Sequence, residues 1–125
     1  DRIALCGITA QPPHRDIHKT ALGATESVKW DYFKNTQEAI VEFRDKGYKV
    51  ISVEQVQGSI ELNNYTIDAS MQYALIFGNE VKGVSQQAVD LSDDCIEVPQ
   101  IGTKHSLNVS VCAGIVLWEF FKFKQ

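Results

Sequence analysis

Short apolar runs alternate with amphipathic stretches along the chain, a pattern typical of α/β proteins. Residues 48–53 are rich in β-branched side chains and residues 73–77 are continuously apolar, so both are predicted to be strands. The second of them has the composition of a central strand that is covered on both faces. Shorter strands are predicted at residues 3–6 and 95–98. Because helical stretches separate the strands, the sheet is predicted to be mostly parallel.

The helix with the clearest boundaries is predicted at residues 35–46. Asn35 is a suitable N-cap, and Glu38 stands at the capping-box position. Gly47 follows the last turn, where a residue in the left-handed conformation commonly ends a helix. Local signals therefore place both ends of this helix.

Other segments carry weaker helical signals. Short helices are predicted at residues 14–22 and at residues 85–89, where Ser85 is a suitable N-cap. Residues 106–122 are apolar nearly all round, and their length favours a buried helix over a strand. Residues 57–68 are polar and rich in glycine and asparagine, which predicts a loop with a turn or two of helix.

Three glycine-containing loops follow predicted strands, at residues 54–59, 78–83 and 99–105. In parallel sheets the carboxyl ends of the strands meet at one edge, and ligands bind outside that edge. Glycine lets the backbone approach a ligand closely. The three loops are therefore predicted to form a ligand site together.

The loop at residues 78–83 has the G-x-x-x-x-G spacing of a phosphate-binding loop. Val84 and Ser85 stand where that motif requires Lys and Ser or Thr, so the phosphate-cradling mechanism is missing. Taken alone, the loop is either a glycine-flanked turn or a ligand loop that offers backbone amides and the carboxylate of Glu80.

The most informative stretch is residues 98–110. A predicted strand stops at Pro99, Gly102 provides a bend, and small polar residues then open an apolar helix. Ser106 and Asn108 have two readings: a cap and a first-turn residue of that helix, or contacts to a polar ligand at the helix start. Taken one residue at a time, the first reading is favoured. The second is less easily dismissed for Asn108, because an asparagine just inside an apolar helix is a buried amide that needs partners.

Composition changes this picture little. The chain has 125 residues, of which 44% are hydrophobic and 22% charged. These values exclude a disordered or collagen-like protein and predict a single domain over residues 1–125. No apolar run reaches the roughly 18–20 residues of a membrane span, so no membrane contact is predicted. The first residues open straight into a strand-like run, so no signal peptide is expected.

Charged and reactive residues restrict the compartment and the partners. Cys6, Cys95 and Cys112 cannot all pair with one another, which predicts a reducing, cytoplasmic location. His14 and His18 stand four residues apart, but without a third ligand we predict no metal site. The formal net charge of -4 argues against a surface that coats nucleic acid and leaves room for a local basic patch.

Two stretches resemble signatures of one enzyme family. Residues 75–83, Leu-Ile-Phe-Gly-Asn-Glu-Val-Lys-Gly, are similar to the second signature of the SpoU-type RNA 2′-O-ribose methyltransferases of the SPOUT class. Residues 98–110, with their proline, glycine and Ser-Leu-Asn-Val-Ser, are similar to the third. Residues 5–9 and 19–24 are also similar to family members, so the resemblance covers nearly the whole chain. Two signatures in order and at the right separation make it specific.

The resemblance implies a fold and a reaction. The expected fold is an α/β domain with a mostly parallel sheet, helices on both faces and a C-terminal trefoil knot. The expected reaction is methyl transfer from S-adenosylmethionine to a ribose 2′-hydroxyl of tRNA or rRNA, in a homodimer whose contact completes each site. This chemistry is an in-line displacement that requires positioning and a proton acceptor but no metal.

The resemblance also implies site residues. The polar positions of the catalytic region are matched by Glu80, Ser106 and Asn108. The predicted cofactor-binding residues are Gly78, Val98, Leu107, Val53 and Gly102.

The sequence departs from the family pattern at its start. Family members carry a first signature upstream, which contains an arginine implicated in activating the ribose hydroxyl. Arg2 belongs to the strand that follows that signature, so it does not take this role. The domain is therefore expected to lack its N-terminal part, and this chain alone to be inactive. The alternative interpretation is a non-catalytic module of the same fold that binds S-adenosylmethionine or associates with RNA.

Overall fold

The computed structural model describes residues 2–7, 9, 11, 28–79, 81–100 and 108–123. The chain divides into two compact units, Asp1–Glu42 and Phe43–Gln125. The helix predicted at residues 14–22 lies outside the described residues. None of the helices within the described ranges is both long and apolar enough to cross a membrane.

The first unit contains two paired strands. Strand β1 (Arg2–Cys6) runs parallel to β2 (Lys29–Phe33), in a register that joins Arg2 to Lys29 and Cys6 to Phe33. The sequence predicted the first of these strands but assigned no strand to the aromatic run in the second. The Arg2 guanidinium forms ion pairs with Asp31 of β2 and, at 3.5 Å, with Glu42.

Helix α1 (Thr36–Asp45) confirms the predicted boundary signals. The Oδ1 atom of Asn35 accepts a hydrogen bond from the Glu38 backbone N–H at 2.9 Å, as expected of an N-cap. Gly47 has a φ of 89°. Its N–H donates to the Arg44 carbonyl and the Tyr48 N–H to the Phe43 carbonyl, both at 2.9 Å. This is the Schellman arrangement, in which a left-handed residue ends a helix.

The second unit is built on a four-stranded parallel sheet. Its strands are β3 (Lys49–Val53), β4 (Ile60–Glu61), β5 (Tyr73–Phe77) and β6 (Asp94–Glu97). Their spatial order is β4-β6-β3-β5, and all pairs are parallel, which confirms the predicted sheet type.

One sequence prediction about this sheet is wrong, and another is confirmed only in part. Strand β5 lies at one end of the sheet, whereas β3 is interior and has Ile51 and Ser52 fully buried. The sequence missed this because Ser52 and Lys49 make β3 less apolar than β5. Residues 57–68, predicted as a loop with a turn or two of helix, do contain a 3-10 helix (Leu62–Asn64), but they also contain the strand β4, which was not predicted. A two-residue strand is too short to show periodicity.

The helices complete the second unit. Helix α2 (Gln86–Leu91) begins at its predicted cap, where the Ser85 Oγ accepts a hydrogen bond from the Ala88 N–H. Helix α3 (Val109–Lys122) packs on the core through Val116 and Phe120. The predicted helix is confirmed, but its predicted burial is wrong, because only one face is covered. The buried residues that form the core are Ile51, Val53, Leu62, Ile67, Ile96, Val116 and Phe120.

Polar contacts hold together the amino ends of the strands. The Asp93 carboxylate accepts a hydrogen bond from the Val50 N–H at 2.8 Å and pairs with Arg44 at 3.1 Å. At the start of β6, the Asp94 carboxylate accepts a hydrogen bond from the Tyr65 hydroxyl at 2.7 Å and forms an ion pair with Lys49 at 3.2 Å. Burial and the Asp94 hydrogen bond raise the pKa of Tyr65 above its ordinary value, so this hydroxyl stays protonated. These groups stabilise the end of the sheet opposite the predicted site.

Candidate functional site

A cleft opens at the carboxyl ends of the strands in the second unit. The register places Val53 of β3 beside Phe77 of β5 and Ile96 of β6, so the loops that follow these strands start side by side. The cleft has a volume of about 390 Å³, within the range of small-molecule sites. Its lining residues are Val53, Glu54, Gln55, Val56, Phe77, Gly78, Asn79, Val81, Lys82, Gly83, Val84, Val98, Gln100, Val109 and Cys112.

The structure brings three predicted site residues into this cleft. Val53, Gly78 and Val98 were predicted to bind the cofactor, and all three line it. Four other predicted residues, Glu80, Gly102, Ser106 and Leu107, lie outside the described residues. Their assignment to the site stays a prediction.

The last predicted residue, Asn108, has a different structural position from the one expected. It is the N-cap of α3 and is exposed, so the predicted buried amide inside the helix is wrong. Its Oδ1 atom accepts a hydrogen bond from the Ser110 N–H at 2.8 Å. The N-cap role that was predicted for Ser106 thus belongs to Asn108. It does not itself line the cleft, whereas the next residue, Val109, does.

Gly78 lies where two backbone segments meet. A Cβ atom at this position would stand 2.0 Å from the carbonyl carbon of Gly83 and 2.2 Å from the Val84 nitrogen. Such distances are far inside van der Waals contact, so any side chain would force the loop to move. The wall of the cleft therefore depends on glycine at this position.

The loop between Gly78 and Val84 is closed on itself. The Asn79 Oδ1 accepts hydrogen bonds from the Val81 N–H at 2.9 Å and the Lys82 N–H at 2.7 Å. The Gly83 N–H donates to the Asn79 carbonyl at 2.9 Å. An asparagine that bonds the backbone two and three residues ahead fixes a turn. The loop is thus a preformed turn that reaches beyond the end of β5.

Sequence reasoning missed Glu54 and Cys112 as cleft residues. Glu54 is the first residue after β3, and its Oε2 accepts a hydrogen bond from the Val84 N–H at 2.9 Å. The signal was a carboxylate directly after a strand, in a loop already predicted to face the ligand. Cys112 faces the cleft from the first turns of α3, a position that periodicity alone does not reveal.

The cleft has a mixed lining. Valine and phenylalanine side chains form an apolar wall, the backbone of two glycines adjoins it, and Glu54, Lys82 and Gln100 add polar groups. Burial raises the pKa of the Cys95 and Cys112 thiols above their ordinary value, so both are protonated at neutral pH. Among the residues that the structure describes, no three His, Cys, Asp or Glu side chains are grouped to hold a metal ion. A cleft with an apolar wall and polar groups beside it suits a nucleoside-sized ligand.

Comparison with known proteins decides the family. Residues 1–118 match the model of the SpoU rRNA Methylase family. The chain belongs to this family.

Curated relatives of this SpoU chain include tRNA (guanosine(18)-2'-O)-methyltransferases. The one from Aquifex aeolicus is 32% identical over 96 residues, which cover 74% of this chain and 44% of that protein. The one from Borreliella burgdorferi is 31% identical over 97 residues, with coverages of 78% and 44%. The SpoU chain thus spans less than half the length of these relatives.

Solved structures share the fold. The AdoMet-bound rRNA methyltransferase from Sinorhizobium meliloti is 26% identical, with a TM-score of 0.86 over 97% of this chain and 45% of that one. The AviRb methyltransferase from Streptomyces viridochromogenes, in complex with AdoMet, is 21% identical with a TM-score of 0.80. It covers 95% of this chain and 48% of that one, and at this identity it shows the fold alone. The predicted α/β fold with a mostly parallel sheet is confirmed.

Proposed function

We propose that the protein containing this chain transfers a methyl group from S-adenosylmethionine to a ribose 2′-hydroxyl of tRNA or rRNA. The observation that carries the proposal is the cleft at the carboxyl ends of β3, β5 and β6, which Gly78 and Gly83 help to line, in a chain of the SpoU family. Relatives named as 2'-O-methyltransferases and an AdoMet-bound neighbour support it.

The described residues fit the cofactor. A cleft of about 390 Å³ accommodates a nucleoside, and Val53, Phe77 and Val98 offer apolar contact to a base. The close approach of Gly78 to the Gly83–Val84 peptide leaves backbone rather than side chains at the wall. When bound, S-adenosylmethionine supplies the methyl group. The residues of this chain hold the reactants in a reactive geometry. This lowers the activation barrier, because the entropy of bringing the reactants together is already lost on binding.

Residues beyond the described cleft have proposed roles as well. We assign Leu107 and Gly102 to cofactor binding, and Glu80, Ser106 and Asn108 to the polar catalytic region. The step that removes the hydroxyl proton is not assigned to Arg2, because its guanidinium is held by Asp31 and Glu42. An arginine in ion pairs with two carboxylates is a poor proton acceptor.

The function is tested on the protein as encoded by its gene. Calorimetry with S-adenosylmethionine measures binding, and transfer of a tritiated methyl group to RNA from a deletion strain measures catalysis. We expect both, with the product resistant to alkaline cleavage at one nucleotide. Binding without transfer would favour the non-catalytic module, and no binding would contradict the proposal.

We also propose that residues 1–125 form one catalytic domain with a C-terminal trefoil knot. The similarity to the Sinorhizobium meliloti structure over 97% of the chain supports this. Residues 101–107 of the connection between β6 and α3, where the knot would be threaded, lie outside the described residues. A crystal structure with an unthreaded connection would contradict the proposal.

Cys6, Cys95 and Cys112 are free thiols, which supports a cytoplasmic location.

Homodimerisation is supported by the outer face of α3. Val111, Ile115 and Trp118 follow the i, i+4, i+7 spacing of one helix face and are 39–61% exposed. Leu117 and Phe121 extend this apolar face. Exposed patches of this kind mark interaction sites. We propose that a second copy of the chain covers it, since the start of α3 lines the cleft and a copy seated there would complete the site.

Trp118→Glu is expected to convert the dimer into a monomer, because it places a charge in the middle of that face. Size-exclusion chromatography with light scattering on the whole protein measures the mass. Val41→Glu is the control, since Val41 is 55% exposed on α1 outside the face. A monomeric wild type, or a variant that remains dimeric, would contradict the proposed dimer.

S-adenosylhomocysteine is expected to protect Cys112 from alkylation, because the thiol lines the cleft. Its raised pKa lowers the thiolate fraction, so labelling by iodoacetamide rises at higher pH than for an ordinary thiol and is best followed near pH 9. Mass spectrometry of the Cys112 peptide gives the rate. The Cys6 peptide, from the first unit, serves as the control that the ligand leaves unchanged. An unprotected Cys112 would place the ligand elsewhere.

A further inference from the structure

The backbone of Glu54 is fixed between two strands. Its N–H donates to the Ile96 carbonyl at 3.0 Å, which continues the pairing of β3 with β6 beyond the last paired residues. Its carbonyl accepts a hydrogen bond from the Cys95 Sγ at 3.4 Å. The side chain therefore starts from a rigid point at the edge of the sheet, beside the cleft.

The carboxylate of Glu54 links the carboxyl end of β3 to the end of the Gly78–Val84 loop. Its Oε2 accepts the Val84 N–H at 2.9 Å, and its Oε1 accepts the Gln55 N–H at 3.1 Å. Hydrogen bonds to a charged acceptor are roughly twice as strong as neutral ones. Asn79 stabilises the loop through hydrogen bonds inside it, whereas Glu54 connects the loop to the sheet.

Gly83 makes room for this carboxylate. Its φ is 66°, a left-handed conformation that favours glycine. A Cβ atom there would lie 2.3 Å from the Glu54 Oε2. The Gly83–Val84 peptide is thus contacted by Gly78 at one point and by the Glu54 carboxylate at another.

We propose that Glu54 is a positioning residue, which fixes the Gly78–Val84 loop in the shape that binds S-adenosylmethionine. The inference rests on the proposed function. Glu54 acts through the Val84 amide and not on the reacting atoms, so its loss weakens cofactor binding more than it slows the chemical step. A charge-assisted hydrogen bond at a loop base accounts for about a tenfold change in affinity.

Three variants of the whole protein test this role. Glu54→Ala removes the acceptor and is expected to raise the KM for S-adenosylmethionine about tenfold, with kcat much less affected. Glu54→Gln keeps an oxygen for the Val84 N–H but loses the charge, so it is expected to restore part of the affinity. Glu61→Ala is the matched control, since this exposed glutamate lies on β4 outside the cleft. Equal affinity in wild type and Glu54→Ala would overturn the proposal, and so would a Gln variant no better than Ala.

A double-mutant cycle with Gly83 provides a second readout, independent of the KM of a single variant. Gly83→Ala places a methyl group against the carboxylate and is expected to weaken cofactor binding. In the Glu54→Ala background the carboxylate atoms that this methyl group meets are gone. The double variant should therefore lose less affinity than the sum of the losses in the two single variants. Full additivity would overturn the proposal.

The outcomes separate this inference from the proposed function. A wild-type protein that does not bind S-adenosylmethionine overturns both. Wild-type binding that Glu54→Ala leaves unchanged overturns only the role of Glu54. If Glu54→Ala lowers the melting temperature, the Gln variant and the KM-to-kcat comparison still decide, because a loss of stability alone lowers the active fraction and leaves KM unchanged.

Discussion

Gly78→Ala is expected to weaken the binding of S-adenosylmethionine by about 10- to 100-fold. The added methyl group would stand 2.0 Å from the Gly83 carbonyl carbon and 2.2 Å from the Val84 nitrogen. Both are backbone atoms, so relief requires a shift of the loop and not a rotation of a side chain. Overpacking of this kind costs about 1–3 kcal/mol, which corresponds to the stated change in affinity if the shift is borne by the cleft wall. Gly78→Val should be worse.

Calorimetry on the wild-type and variant proteins measures this effect, with thermal unfolding as a parallel readout. Gly47→Ala is the control for stability. Unlike Gly78, Gly47 has a left-handed φ of 89°, but a Cβ there meets nothing within 4 Å, and it lies at the end of α1 away from the cleft lining. The control should lose about 1–2 kcal/mol of stability and keep its affinity. Unchanged affinity in Gly78→Ala would show that the loop is not part of the cofactor site.

Much of the fold could be predicted from local signals in the sequence. The cap at Asn35 and the left-handed Gly47 place the ends of α1, because both act through hydrogen bonds within one turn. The site was readable at the level of segments, since the carboxyl ends of parallel strands meet at one edge. This rule predicted that the loops at residues 54–59, 78–83 and 99–105 share a site, and residues of all three line one cleft. The individual residues Val53, Gly78 and Val98 were implied by the family resemblance.

The remaining features depend on tertiary contacts that no window of sequence contains. Strand β5 is more apolar than β3, yet β3 is interior, since position in the sheet is set by pairing and not by composition. The outer face of α3 is as apolar as its buried face, so periodicity could not tell which residues the core covers. Glu54 acts on Val84, thirty residues away, and only the folded chain shows that pair.

Asn108→Ala is expected to lower methyl transfer by about 100-fold or more while costing only about 1 kcal/mol of stability. The stability cost follows from the cap, because the Asn108 Oδ1 accepts the Ser110 N–H at 2.8 Å. With that oxygen engaged, the amide has its two N–H donors left to offer a polar partner. Loss of one aligned donor at a reacting oxygen costs about 10²–10³ in rate.

Asn108→Ser separates the two contributions. Serine is an N-cap of similar strength, so this variant should unfold at the wild-type temperature, yet it has no amide to donate. If the amide acts in catalysis, Asn108→Ser will be as inactive as Asn108→Ala despite its restored stability. If the residue only caps α3, the serine variant will recover activity and stability together, and Asn108 leaves the catalytic region. Single-turnover rates with saturating S-adenosylmethionine make the comparison independent of cofactor affinity.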